Sequence, residues 1–211
     1  MLTASPHPRR ATSAAVWGSL VVFVALHALQ PEGVLGQATY LAPVVGGAVL
    51  AWIGARRRPA GERGHWKLVA LGLAASAVGD VIWSGFALVD GVGPDASVAD
   101  VFYIGSYLLI FVALLRLLVR RNPDVRLDVD GILDMVATGT VTVLLVWAWA
   151  VAPSLGDDSV GLPVRLLWAS YPVLDAVLLA LVLRIVVNRA ARTGIGVLLA
   201  SGVAAWMLAD L

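Results

Sequence analysis

The sequence predicts an all-α fold: a polytopic membrane bundle with seven transmembrane helices. Three observations carry this. Of 211 residues, 60% are hydrophobic and 14% charged, with a mean hydropathy of +0.88, whereas soluble domains are about 25% charged. The apolar residues fall into seven runs of about 18 residues or more, each enough to cross a hydrocarbon core of about 30 Å at about 1.5 Å per residue. The cations are segregated by loop: of fifteen Lys and Arg residues, all but Arg165 fall at or beside one side, which the positive-inside rule makes cytoplasmic.

Residues 1–13, with Pro6, Pro8, Arg9 and Arg10, read as a cytoplasmic tail leading into a bundle over 14–211. The first span, about 14–29, is long for a signal-peptide core and lacks a small-x-small cleavage site before the QPEG turn, so it is expected to be retained. His27 near its far end reads as a packing or interface residue. Span two, about 38–55, carries Pro43 and the Gly46-Gly47 pair, which favour close helix packing. It ends in RRRPAGERGHWK, where Arg56, Arg57, Arg58, Arg63 and Lys67 form a cytoplasmic anchor that also suits anionic lipid.

Spans three (about 68–88) and four (about 101–118) flank a loop with Asp90, Asp95 and Asp100 and no cation, which is therefore external. The next connection holds Arg116, Arg120, Arg121 and Arg126 around an Asn122-Pro123 turn and is cytoplasmic. Span five, about 132–151, leads to an external segment with Asp157 and Asp158. Span six, about 166–187, turns at Arg189 and Arg192 into span seven, about 194–211. The N-terminus then lies inside and Leu211 outside, in a multi-pass protein whose first partner is the lipid bilayer.

The functional candidates are the acids that this topology buries. An ionised carboxylate at mid-bilayer costs roughly 2.5–3.5 kcal/mol on insertion scales, so a membrane Asp is a candidate site by default. Asp80 lies about 12 residues, roughly 18 Å, from the cytoplasmic face, and Asp175 about 10 residues, roughly 15 Å, from the external one. Asp100 caps the start of span four and Asp210 lies near the end of span seven, while Asp134 alone is near the cytoplasmic face. Each outer acid has an aromatic residue three or four positions away on its own helix: Asp80 with Trp83, Asp100 with Tyr103 and Tyr107 beyond, Asp175 with Tyr171, Asp210 with Trp206. Pro172 leaves the carbonyl of Trp168 without its helical donor. Arg165, the one external cation, is the natural ion-pair partner for one of these acids. The expected site is an outward-facing acidic and aromatic pocket for a small ligand or a proton, and the competing reading is that the buried acids glue helices together.

Other chemistries fail on inventory. With no cysteine, disulfides, thiolate metal sites and a Cys nucleophile are excluded. Lys67, the single lysine, lies in a loop, so a retinal-type Schiff base has no residue to form on. His7, His27 and His65 are scattered and form no metal constellation or Ser-His-Asp triad. No phosphate-binding or dinucleotide loop is present. The sequence implies neither metal nor cofactor, and its basic loops are membrane anchors, not nucleic-acid sites.

The series Gly79-Asp80 with Trp83, PDASVADVFYIGSY with Ser97, Asp100, Tyr103 and Tyr107, LDM at Asp134, Trp147, SYPVLD with Tyr171, Pro172 and Asp175, and LAD at Asp210 resembles the multi-pass N-terminal region of actinobacterial signalling proteins. In that family the membrane region precedes cytoplasmic GGDEF and EAL domains, which make or degrade cyclic di-GMP, or a histidine kinase. The resemblance covers about 68–211, and Leu108 departs from it where relatives often have proline. It implies a sensory input module in a bacterial inner membrane, noncatalytic in itself and able to pair as a homodimer through the bundle. It also implies a fragment of a longer protein with an eighth transmembrane helix, since cytoplasmic output domains require an even number of spans. Two alternatives stand beside it. A hydrolase similar to bacterial lysoplasmalogenases would use Asp80 and Asp210 as catalytic carboxylates, and a proton-coupled carrier would need acids lining a path.

Overall fold

The computed structural model describes residues 8–29, 33–121, 129–187 and 202, and among them every regular element is a helix. The elements are α1 (Pro8–Leu29), α2 (Gly33–Arg56), α3 (Arg63–Asp90), α4 (Val98–Arg121), α5 (Val129–Val146), a π-turn (Trp147–Val151), α6 (Ala152–Gly156) and α7 (Leu162–Val187). Helix α1 starts at Pro8 rather than near Ala14, so the expected tail is shorter; proline suits a first helical position because the N–H it lacks would have no partner there. The long helices generally overrun their apolar runs, since polar ends continue the hydrogen-bond ladder beyond the hydrocarbon. Helix α3 stops at Gly91, whose φ of 76° lies in the left-handed region that glycine enters without a Cβ penalty.

Val21, Val24, Leu29, Val34, Leu50, Val89, Val101, Leu144 and Leu166 are all exposed on the outside of the helices. Such a surface would aggregate in water and is solvated by lipid. Four helices, α2, α3, α4 and α7, are long and apolar enough to cross a membrane, or five if the bent pair Val136–Leu144 and Trp147–Gly156 is one span. Length and surface together mark a helical membrane protein. These five coincide with expected spans two to six, and α1 coincides with the first. Span seven, apart from Gly202, lies outside the described residues.

The bend in span five is 42° and has a local cause. Pro153 has no N–H to give to Trp149, and the ladder before it slips by one residue, the N–H of Ala152 bonding to the carbonyl of Trp147. The Ser154 hydroxyl donates to the carbonyl of Ala150 at 2.8 Å, one turn back.

Neighbouring contacts run α1–α2–α3–α4–α7–α5. The closest seam, between α3 and α4, is built from small residues: Ala70, Gly72, Ala77, Gly79 and Ser84 on α3 and Ala99, Ser106 and Ala113 on α4 are buried. In lipid, where apolar burial does not drive helices together, such residues let backbones approach closely. Helices α4 and α7 share the apolar core, with Ile110, Leu114, Leu117 and Leu118 facing Leu178, Leu181, Val182 and Ile185 at helical spacing. Tyr107 closes this core at the end where the polar residues begin.

The seam yields a prediction. A Cβ on Gly72 would lie 2.7 Å from Ile110 Cγ1 and 3.2 Å from the Ser106 carbonyl oxygen, whereas one on Gly85 meets nothing within 4 Å. Gly72→Leu should destabilise the protein by about 1–3 kcal/mol through overpacking. Gly85→Ala should be neutral or stabilising by up to about 1 kcal/mol through helix propensity. Unfolding in detergent micelles measures both, and equal effects would contradict the seam.

Candidate functional site

The chain contains four tyrosines, and each donates its phenol hydrogen to an aspartate on another helix. Tyr40 (α2) and Tyr103 (α4) both donate to Asp80 Oδ1 on α3, at 3.2 and 2.9 Å. Tyr107 (α4) donates to Asp175 Oδ1 (α7) at 2.7 Å. Tyr171 (α7) donates to Asp100 Oδ1 (α4) at 2.5 Å. Tyr171 also sits between the other two central rings, 6.5 Å from Tyr103 at 74° and 6.2 Å from Tyr107 at 52°. The result is one connected layer, Asp80–Tyr103–Tyr171–Tyr107–Asp175, that ties α2, α3, α4 and α7 together.

Local sequence sets each member. Asp100 stands three residues after Ser97 at the start of α4 and forms a reciprocal cap: the Ser97 N–H donates to Asp100 Oδ2 at 2.6 Å and the Ala99 N–H donates to Ser97 Oγ at 3.1 Å. Its carboxylate is thus divided between helix capping and Tyr171. Gly79 lets the Tyr103 ring reach Asp80, since a Cβ there would lie 2.6 Å from Tyr103 Cε1. Gly93 makes room for the Trp83 ring, whose Cζ2 would stand 2.0 Å from an added Cβ. The loop carrying Gly93 is also held by α7, where Trp168 Nε1 donates to the Asp95 carbonyl at 2.9 Å.

This layer forms part of the wall of a cavity of about 1110 Å³. It is walled by His27 of α1, Gln37 and Tyr40 of α2, Ser76, Asp80 and Trp83 of α3, and Gly93, Pro94 and Asp95 of the following loop. Asp100, Tyr103 and Tyr107 of α4 continue the wall, followed by Val146, Trp149, Ala150, Pro153 and Ser154 around the π-turn and Trp168, Tyr171, Pro172 and Asp175 of α7. Among the described residues no lysine or arginine lines it. Asp175 is the most enclosed of its three central acids, 7% exposed, while Trp149 is 84% exposed at the rim.

Seven expected site residues therefore converge on one cavity: Asp80, Trp83, Asp100, Tyr103, Tyr107, Tyr171 and Asp175. The acids bond to tyrosines of neighbouring helices, as the reading of the acids as helix glue has it. Arg165 departs from expectation. Starting one turn into α7, it reaches back along the preceding loop to Asp158 at 2.7 Å and to the carbonyls of Val160 and Leu155. Asp158 is 91% exposed, so the pair contributes little. In the same loop Asp157 Oδ1 accepts the Ser159 hydroxyl and N–H, which holds the Asp157 carboxyl below its ordinary range.

Trp206 and Asp210 lie outside the described residues, and the Asp134 side chain does too. His27 is a packing residue as well as part of the wall, its Nδ1 3.2 Å from the Gly36 carbonyl oxygen. Sequence reasoning missed Tyr40, Gln37, Ser76, Trp149, Pro153 and Ser154. Tyr40 had a usable signal, since it lies about as far along α2 from the α2–α3 turn as Asp80 does along α3.

Fold and site together define a polytopic helical membrane protein with a tyrosine-bridged acidic cavity. Searches for relatives take the description no further: no family model, curated protein or solved structure matches the chain.

The hydrogen bonds predict a graded response. Tyr107→Phe removes a short bond from an enclosed carboxyl and should destabilise the protein by about 1–3 kcal/mol. Tyr40→Phe removes a longer bond at a half-exposed position, and its cost should stay under about 0.5 kcal/mol. Unfolding of the two variants in the same detergent compares them; a larger loss for Tyr40→Phe would contradict the geometry.

Proposed function

We propose that this chain is the membrane-embedded sensory input module of a bacterial signalling protein and that its cavity takes the signal ligand. The observation that carries the reading is the cavity itself: about 1110 Å³, at the upper end of small-ligand sites, with buried polar groups placed around an otherwise apolar bundle. The residues on which the resemblance to cyclic di-GMP signalling proteins rests, from Asp80 and Trp83 to Tyr171, Pro172 and Asp175, are among those that line it. In a bundle that served only as an anchor, these positions would need no shared hollow.

In this reading the N-terminus and the loop after α2 face the cytoplasm, and the loops at 91–97 and 157–161 face outward, with seven spans in the inner membrane. Ligand binding shifts the helices bridged by the Tyr–Asp layer relative to one another. That displacement is the form of signal a membrane bundle passes to a cytoplasmic domain, because packed helices move as bodies. The dimer expected from the resemblance belongs to the same proposal.

The absence of cysteine makes the topology directly testable. Ala96→Cys and Ser159→Cys should react with an impermeant maleimide in intact cells and Arg63→Cys should not; the opposite pattern rejects the orientation. For the signalling role, Asp80→Asn in the chromosomal gene should change cellular cyclic di-GMP at unchanged protein abundance. An unchanged nucleotide level, with purified protein hydrolysing a vinyl-ether lysophospholipid, would replace the sensor with the hydrolase.

A further inference from the structure

The hydrogen-bond assignments restrict what this cavity recognises. All four phenol hydrogens are already given to carboxylates, and the Trp168 indole N–H is given to the Asp95 carbonyl. These donors are therefore committed before any ligand arrives. Asp80 takes both of its phenols on Oδ1, which leaves Oδ2 as an acceptor. Pro172, inside α7, has no N–H to give to the carbonyl of Trp168 one turn back, and both residues line the cavity. Around these groups stand the rings of Trp83, Trp149 and Trp168 and the tyrosines, and among the described residues no lysine or arginine lines the cavity, while Nδ1 of His27 is turned to the Gly36 carbonyl. Arg165 is turned to Asp158.

Among the described residues anions meet no lysine, no arginine and no free phenol donor in such a cavity. A neutral apolar molecule brings no charge or donor to the remaining oxygen of Asp80 in a low-dielectric setting. A positive group supplies what both carboxylates and ring faces favour, since the electron-rich face of an aromatic ring attracts a cation within about 6 Å of its centre. We propose that the ligand is an organic cation, an amine or quaternary ammonium group on an apolar body, with the charge held by Asp80 and the aromatic rings. This rests on the reading of the cavity as a ligand site, and the test separates the two.

The test is isothermal titration of the whole chain in nanodiscs of zwitterionic lipid, with three probes of similar size that differ in charge: benzyltrimethylammonium, its neutral isostere neopentylbenzene and benzylsulfonate. Benzyltrimethylammonium should bind saturably, at least about tenfold more tightly than neopentylbenzene, and benzylsulfonate should not bind. Asp80→Asn should weaken the cation by about tenfold and leave neopentylbenzene unchanged. Trp149→Ala, a change at an exposed rim residue that keeps the bundle intact, should weaken the cation severalfold. Equal affinity for cation and isostere, or cation binding indifferent to both substitutions, overturns the organic-cation assignment while the ligand site stands. Saturable binding of benzylsulfonate in preference to the cation does the same. If no probe binds saturably to a variant or to the parent chain while the protein remains folded, the cavity is not a ligand site and both readings fall.

Discussion

The structure depends on phenol-to-carboxylate hydrogen bonds between helices. In lipid the outside of a helix is as well solvated as its inside, so apolar residues do not by themselves select which faces meet. A buried carboxyl does select, because leaving it without donors in hydrocarbon is costly. Tyr103 to Asp80, Tyr107 to Asp175 and Tyr171 to Asp100 each fix a pair of helices at a defined rotation. The apolar half of α4 and α7 below then packs on faces that these bonds have already chosen.

This arrangement joins two roles often treated as rivals. The acids hold helices together, as the structural reading holds, and the same bonds orient them around a hollow. Asp100 shows the division within one side chain, with one oxygen committed to the α4 cap and the other to Tyr171. Asp80 differs in receiving both phenols on one oxygen. The layer can therefore serve as a frame at one acid and as a contact at another.

Hydropathy and loop charge made the helices legible, because the length of an apolar run and the position of Arg clusters act locally along the chain. The depth of Asp80 and Asp175 was legible for the same reason. The partners of the acids were not, since pairing is a relation between helices and depends on which faces meet. Tyr171 and Asp175 are one turn apart on α7, yet Tyr171 bonds to α4 through Asp100 and Asp175 bonds to α4 through Tyr107. Arg165 was misplaced by reasoning from charge alone: a cation near the membrane surface takes the nearest flexible, exposed acid, here Asp158. The lining residues of span five, Val146, Trp149, Ala150, Pro153 and Ser154, follow the i, i+3, i+4, i+7, i+8 spacing of one helix face, so the face was legible in the sequence and the neighbours that it meets were not.

That segment sets a rule for how the protein tolerates change in length. A π-turn accommodates one residue more than the α-helical ladder around it, and each residue of an α-helix advances the side chains by about 100°. Removing a single residue between Trp147 and Val151 would allow the ladder to close as an ordinary helix. Because the wide turn takes up that extra residue within itself, an ordinary helix one residue shorter would hold Val146 and Pro153 in about their present relative phase, whereas the same deletion elsewhere in a helix would rotate everything beyond it by about 100°. The π-turn is a slack link, and sequence length there is less constrained than sequence identity.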